Sequence, residues 1–384
     1  MSASSRAAQA HRQRVLPTDH QPFQAIAWSS RWTLPPDPQR IPIAILTGFL
    51  GSGKTTVLRH LAETGALDRT LVLINEFGEV GLDHHLLTPL ADDTLVAIES
   101  GCICCTIRTD LAQTLVAAPG RYARGGVRWF DRVIIETTGI ADPAPVLQTI
   151  LGETAVSRKY WLAGVVTTVD AVNGAETVQA HTEAAKQVAV ADRVLLTKTD
   201  LAQPDQVQAL QRQVRQLAPS APISPVTNGV ADIDWLFGGG SYALDGKLQD
   251  VESWLMAEPE DHANHDHTDR NRHGRIQATC LTFDEPVDAA LFEACMQSLL
   301  MFRGADLLRV KAIINVRGMD RPMVLHGVQH VFHPPEVLEA WPGPDRRTRI
   351  VLIARDLDHE ALSGCFRALE MEPGPADQRG GLDG

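Results

Sequence analysis

The sequence predicts an α/β fold with a mainly parallel sheet, followed by a small α+β C-terminal domain, and three observations carry that prediction. The stretch Gly48-Phe49-Leu50-Gly51-Ser52-Gly53-Lys54-Thr55-Thr56 fits G-x-x-x-x-G-K-[ST] and lies between an apolar run and an amphipathic pattern. From Ile41 to about Thr227 short β-branched runs alternate with helical patterns, the signature of a parallel sheet covered on both faces. Beyond Gln277 strands and helices continue, but the regular alternation stops.

In chain order, residues 1–40 hold scattered Arg, Ser, Gln and Pro with few carboxylates and no period, and read as a mobile arm that carries Trp28 and Trp32. Residues 41–237 form the P-loop NTPase domain. Its strands are expected at Ile41–Thr47, Thr70–Asn75, Thr94–Glu99, Arg132–Glu136, Gly164–Asp170, Arg193–Thr197 and Ile223–Val226. Its helices are expected at Lys54–Glu63, Thr106–Ala117, Pro143–Ile150, Ala175–Val188 and Pro204–Leu217. Gly238-Gly239-Gly240 and the polar run from Met256 to Arg275 mark residues 238–275 as a Gly- and His-rich linker. Residues 276–372 read as the second domain, with strands Gln277–Phe283, Leu308–Val316, Pro322–Phe332 and Arg349–Ala354 and helices Asp288–Leu300 and His359–Glu370. Residues 373–384 are a Gly/Pro/Asp-rich tail.

At 384 residues the chain suits two domains. Its net charge of −12 disfavours nucleic acid and anionic membranes as partners. No stretch supplies the roughly 18 unbroken apolar residues of a membrane span, and the N-terminus has no signal-peptide core, so a cytoplasmic location is expected. Six Cys, three of them within four positions, do not look like a disulfide framework.

The phosphate-binding pattern assigns roles by its geometry. The loop Gly48, Gly51, Ser52 and Gly53 turns backbone N–H groups toward a β-phosphate at a helix N-terminus; Lys54 reaches the β/γ-phosphates, Thr55 ligates Mg²⁺, and Thr56 follows on the first turn. Val133-Ile134-Ile135-Glu136-Thr137-Thr138-Gly139 is an apolar strand ending in a carboxylate. Glu136 would hold the Mg²⁺ shell or order the attacking water, and the Gly139 N–H would meet the γ-phosphate. Thr197-Lys198-Thr199-Asp200 has the [N/T]-K-x-D form that reads guanine: Asp200 accepts from N1–H and the 2-amino group, and the Lys198 stem covers the ring.

Between these signals lies Gly101-Cys102-Ile103-Cys104-Cys105-Thr106, preceded by the acidic segment Asn75 to Asp83. Thiolates at this density suit Zn²⁺, Cu(I), Co²⁺ or Ni²⁺ rather than Mg²⁺ or Ca²⁺. Adjacent cysteines seldom all reach one ion, so Cys102, Cys104 and Cys105 are expected to supply two or three ligands, with Glu76 as the distant one. Three small buried hydrophobes or a redox pair are the alternatives. Cys280, Cys295 and Cys365 lie in apolar periodic contexts and read as core. His262, His265, His267 and His273 either collect metal or belong to a solvated linker. His326 and His330 read as exposed positions of one strand.

The combination of Gly48–Thr55, Asn75–Gly81, Cys102–Cys105, Glu136–Gly139 and Thr197–Asp200 resembles the CobW-type GTPases, metal chaperones related to the urease and hydrogenase nickel-insertion GTPases. Leu308-Arg309-Val310-Lys311, Leu325-His326-Gly327-Val328 and Ile353-Ala354-Arg355-Asp356-Leu357 are similar to that family's small second domain, so the likeness runs from about Ile41 to Leu369. Two positions depart from it: Thr197 stands where Asn is usual, and Ala312 where Gly often follows the Lys. The resemblance implies a GTP-hydrolysing protein that binds a transition metal, most often zinc and in some members cobalt, and helps place it in a client metalloprotein. A non-hydrolysing metal store and a P-loop small-molecule kinase are the competing classes. Because the cysteine motif lies between two phosphate-sensing elements, metal and nucleotide binding are expected to be coupled.

Overall fold

The computed structural model describes residues 40–76, 95–99, 106–237, 276–332 and 335–370. The N-terminal arm, Cys102–Cys105, the His-rich linker and the tail lie outside the described residues.

The first domain is built on a parallel sheet of seven strands among the described residues: β1 (Ile41–Gly48), β2 (Thr70–Glu76), β3 (Leu95–Glu99), β6 (Arg132–Thr137), β7 (Tyr160–Asp170), β8 (Arg193–Thr197) and β9 (Ile223–Val226). Their spatial order is β3-β2-β6-β1-β7-β8-β9, every pair parallel. The helices α1 (Lys54–Glu63), α2 (Thr106–Arg121), α3 (Ala144–Gly152), α4 (Thr154–Ser157), α5 (Gly174–Ala180), α6 (Thr182–Ala189), α7 (Pro204–Leu217) and α8 (Ile233–Phe237) connect and cover it, and a small hairpin, β4 (Ala123–Arg124) with β5 (Val127–Arg128), precedes β6.

The apolar runs are continuous because both faces are buried. Ile43, Ile45, Leu71, Leu73, Val133 and Ile135 pack against α2 and α3, while the alternate residues Leu46, Val72, Ile74 and Ile134 pack against Val57, Leu58 and Leu61 of α1. Removing one such side chain to Ala costs about 2–5 kcal/mol.

The second domain is an antiparallel sheet, β10 (Ile276–Phe283), β15 (Thr348–Arg355), β11 (Leu307–Ile314), β12 (Met323–Val328) and β13 (Val331–Phe332) in that order, with β14 (Glu336–Val337) on β12. Helices α9 (Ala289–Arg303) and α10 (His359–Phe366) bury Phe292, Met296, Leu299 and Phe366 on one face of it. A 3-10 turn, Arg367–Glu370, ends the described chain.

Several elements differ from expectation for local reasons. β7 starts at Tyr160, not Gly164: the register slips between Ile43 and Ala44, so that Leu162 and Gly164 are their partners and Ala163 is the extra residue of a bulge. The single helix expected over Ala175–Val188 is two, broken at His181, whose backbone is extended. The long strand expected over Pro322–Phe332 is a hairpin turned at Gln329 (φ 53°), which leaves His330 exposed on the turn and His326 buried on β12.

The domains meet over a buried charge cluster. Arg309 on β11 donates to the Asp192 carboxylate and to the Val190 carbonyl, Lys311 Nζ lies 3.5 Å from Asp192, and the Val165 N–H donates to Asp192 at 2.9 Å. Gln148 on α3 donates to Gln329 at 3.2 Å, and Val328 packs into the first domain's core. No helix among the described residues is long and apolar enough to cross a membrane.

Candidate nucleotide site

Each described part of the candidate site comes from the carboxyl end of a parallel strand, where an open α/β sheet leaves its crevice. β1 ends at Gly48, and Phe49 to Gly53 turn the chain into α1, whose first residue is Lys54. Gly48 (φ 144°) leaves no space for a side chain, since a Cβ would lie 2.3 Å from Thr168 Oγ1 and 2.5 Å from the Thr168 carbonyl. Thr168 Oγ1 donates to the Thr47 carbonyl at 3.2 Å, so the 2.7 Å contact between Ser52 Oγ and Thr168 Oγ1 has Ser52 as donor. Thr137 Oγ1 donates to Thr47 Oγ1 at 2.7 Å. This chain of buried hydroxyls ties β6, β1, the loop and β7 together.

Lys54 is buried, and its ammonium donates to the Gly48 carbonyl at 2.8 Å and the Phe49 carbonyl at 3.3 Å. A phosphate oxygen is a stronger acceptor than a carbonyl, so an anion at the N-terminus of α1 would compete well for that ammonium. A cavity of about 170 Å³ lies beside the loop, lined by Phe49, Ser52, Thr168, Asp170 and Lys198 among others.

Glu136 is 5 % exposed and is the register partner of Leu46 and Ile74, both of which face α1. Its carboxylate therefore lies on the α1 side of the sheet, the side whose helix carries Thr55 on its first turn. One hydroxyl and one carboxylate are hard oxygen donors of the kind Mg²⁺ takes alongside phosphate and water, so these residues fit that ion. The neighbouring Thr138 Oγ1 is buried with no hydrogen-bond partner among the described residues, a polar atom left over for a ligand or water. Gly139 meets the phosphate loop directly: a Cβ on it would lie 2.6 Å from Leu50 Cδ2 and 2.7 Å from Leu50 Cα.

The base motif is braced from two sides. Thr197 Oγ1 donates to the Ser52 carbonyl at 2.6 Å, with a weaker second contact to the Val169 carbonyl at 3.3 Å. Lys198 (φ 56°) pairs with Asp170 Oδ2 at 2.6 Å. Burial pushes the Asp170 carboxyl up, but the Lys198 ammonium and the N–H groups of Val172 and Asn173 outweigh it and hold the carboxyl below its usual range. Asp200 is exposed in the turn after Lys198. Thr199 and Thr227 hydroxyls lie 3.2 Å apart, which brings the loop after β9 to the base motif.

Gly48, Gly51, Ser52, Gly53, Lys54, Thr55, Thr56, Glu136, Gly139, Thr197, Lys198 and Asp200 thus all lie at one rim, on the ends of β1, β6 and β8 and the loops and helix that follow them. Cys102, Cys104 and Cys105 lie outside the described residues. Glu76 ends β2, paired in backbone register with Glu99 at the end of β3, while Asn75 pairs with Thr137. No group of three or more His, Cys, Asp or Glu that could hold a metal occurs among the described residues.

Sequence reasoning missed Thr168, Asp170, Thr227 and Gln187. The first two close an apolar strand with Thr-Thr-Val-Asp, a signal that was available at the same rim. Gln187 gave none, because it sits inside an ordinary helical pattern.

Residues 42–225 match the model of the CobW/HypB/UreG nucleotide-binding domain, and residues 276–370 that of the cobalamin synthesis protein cobW C-terminal domain. The chain is 32% identical to the zinc chaperone YjiA of Escherichia coli (strain K12), over 86% of this chain and 98% of that protein. It is 26% identical to the zinc chaperone CobW of Pseudomonas aeruginosa, over 85% of this chain and 91% of the relative. Among solved structures, Zn(II)-bound YjiA GTPase from E. coli superposes with a TM-score of 0.62 at 28% identity, covering 86% of this chain and 99% of that one.

Proposed function

The chain belongs to the CobW/HypB/UreG family, and from that premise we propose that it is a GTPase that binds zinc, or in its place cobalt, as cargo and passes the ion to a client metalloprotein. GTP lies with its phosphates on Gly51 to Thr56 at the start of α1. Lys54 moves its ammonium from the loop carbonyls to the β/γ-phosphates, and the Gly139 N–H meets the γ-phosphate. Asp200 reads the guanine edge, with Thr197 and Lys198 holding its loop. Thr55 and Glu136 would hold Mg²⁺, which when bound neutralises charge on the phosphates. Glu136, desolvated on that face, also orders the attacking water.

Zinc is held by thiolates of Cys102, Cys104 and Cys105 with Glu76 as a further ligand. The observation that carries the coupling is the register: β2, ending in Glu76, lies between β3, which leads into the cysteines, and β6, which ends in Glu136 and Thr137. A γ-phosphate that orders the end of β6 bears on the ends of its neighbours. Residues 41–237 are the GTPase unit in this reading and 276–372 the second domain.

The test is Zn²⁺ titration of the reduced full chain with a non-hydrolysable GTP analogue or with GDP, GTP turnover being measured alongside. The analogue should tighten zinc by about 5-fold or more, the lower range for coupled sites. Equal affinities would remove the coupling, and stoichiometric zinc uptake unchanged by Cys102→Ser, Cys104→Ser and Cys105→Ser together would move the cargo site elsewhere.

A further inference from the structure

Helix α6 touches three bodies that nucleotide hydrolysis must keep in register. Just before its first turn, the His181 ring stacks on Phe49 of the phosphate loop, centroids 4.6 Å apart. Near its end Gln187 is fully buried, and its Nε2 donates to two carbonyls of the loop after Glu136, Gly139 at 3.2 Å and Ala141 at 3.0 Å. Lys186 reaches Asp142 of the same loop at 3.3 Å. Ile140, between the two gripped carbonyls, is 53 % exposed, so its side chain does not hold this loop; Gly139 is held by close packing on Leu50 and by the Gln187 amide. The helix's last residue, Ala189, packs on Leu308 and Ile353 of the C-terminal domain, and beyond it Arg309 grips Val190 and Asp192.

We infer that Gln187 is a positioning residue for GTP hydrolysis and that α6 is the strut through which the C-terminal domain sets the position of Gly139. The inference rests on the GTPase reading above. An N–H that must meet the γ-phosphate cannot drift while the carbonyl of its own residue is tied to a helix. A misplacement of about 1 Å at such a group costs about 10²-fold in rate. GDP has no γ-phosphate, so its affinity is indifferent to the Gln187 contact. At the other end β11 lies inside an antiparallel sheet, between β15 and β12, and gives the helix a stiff abutment.

The experiment measures steady-state GTP hydrolysis and fluorescent-GDP binding on the full chain. Gln187→Met keeps length and removes the amide; kcat should fall about 30- to 100-fold while KM for GTP and Kd for GDP stay within about twofold. Lys311→Met loosens the abutment and should lower kcat about fivefold, and the double variant should be no slower than Gln187→Met alone, because both act through one strut. Should Gln187→Met not fold, Lys186→Ala at a half-buried position must still lower kcat about threefold with GDP affinity intact. A wild-type rate in Gln187→Met or Lys186→Ala, GDP affinity falling in step with kcat, or multiplicative losses in the double variant would each overturn the strut. A wild-type chain that binds GTP without turning it over removes the GTPase reading itself, and the strut's catalytic role with it.

Discussion

Thr197 is 4 % exposed and has one hydroxyl proton to give, which it points at the Ser52 carbonyl at 2.6 Å. The departure from Asn at this position therefore removes an amide but keeps a brace, because a hydroxyl on a strand end reaches the phosphate loop from beneath. Gly53 is fitted to the same side chain: a Cβ there would lie 3.2 Å from the Thr197 methyl. Thr197→Ser should retain the hydrogen bond and bind nucleotide within a few-fold of wild type. Thr197→Val keeps the shape and leaves a buried carbonyl unsatisfied, a cost of about 1–3 kcal/mol. GTP and GDP affinity should both fall by the same factor, roughly 5- to 150-fold, read by fluorescent-nucleotide titration. Equal behaviour of the Val and Ser variants would show that shape, not the proton, is what the position supplies.

The break between α5 and α6 places a ring, which a continuous helix over Ala175–Val188 would not. His181 is in extended backbone at the break, and its ring lies at 23° to that of Phe49. A stacked pair of this kind is worth about 0.5–1.5 kcal/mol beyond area, so His181→Ala should weaken GDP binding about two- to tenfold and His181→Phe should restore most of it. Failure of Phe to rescue would assign the effect to the backbone break instead. The contrast between the break and the strands explains what was legible in the sequence. β1, β8, β9, α1 and α7 follow their expected bounds almost residue for residue, because continuous apolar runs and a capped amphipathic pattern are local signals. The phosphate and base motifs were legible for the same reason, each being a few consecutive residues at a strand end. The His181 break, the Ala163 bulge and the Gln187 grip depend on partners 20 to 132 residues away, Thr167, Phe49, Gly139 and Ile43 among them, and no local pattern encodes them. His326 was misjudged as exposed because the strand face it shares with Val324 and Val328 is covered, Val324 packing with Leu338 and Val328 into the first domain's core.

At the scale of the whole molecule, the two domains are joined through Asp192, and its ionisation is a property of the joint. Burial pushes its carboxyl up, but Arg309 and Lys311 from the C-terminal domain, the Val165 N–H and Arg193 together bring it down to about 2. In the unfolded chain an aspartate titrates near 3.9. A group whose folded pKa is depressed contributes stability above the unfolded value and loses it as pH falls through the folded one, here between about pH 4 and pH 2. The shift corresponds to about 2–3 kcal/mol at neutral pH. Asp192→Asn removes the anion and leaves Arg309 and Lys311 buried without it, a loss of about 3–5 kcal/mol at pH 7 for a broken buried pair. Urea unfolding of both proteins from pH 7 to pH 2.5 separates the joint from other carboxylates. Asp345, held at about 2 by Arg347 and Arg349, titrates in both and cancels in the difference. The gap between wild type and Asp192→Asn should be constant above pH 5 and narrow steadily below pH 4. A gap that stays level down to pH 2.5 would mean that Asp192 keeps its proton count on unfolding, and that shape alone joins the domains.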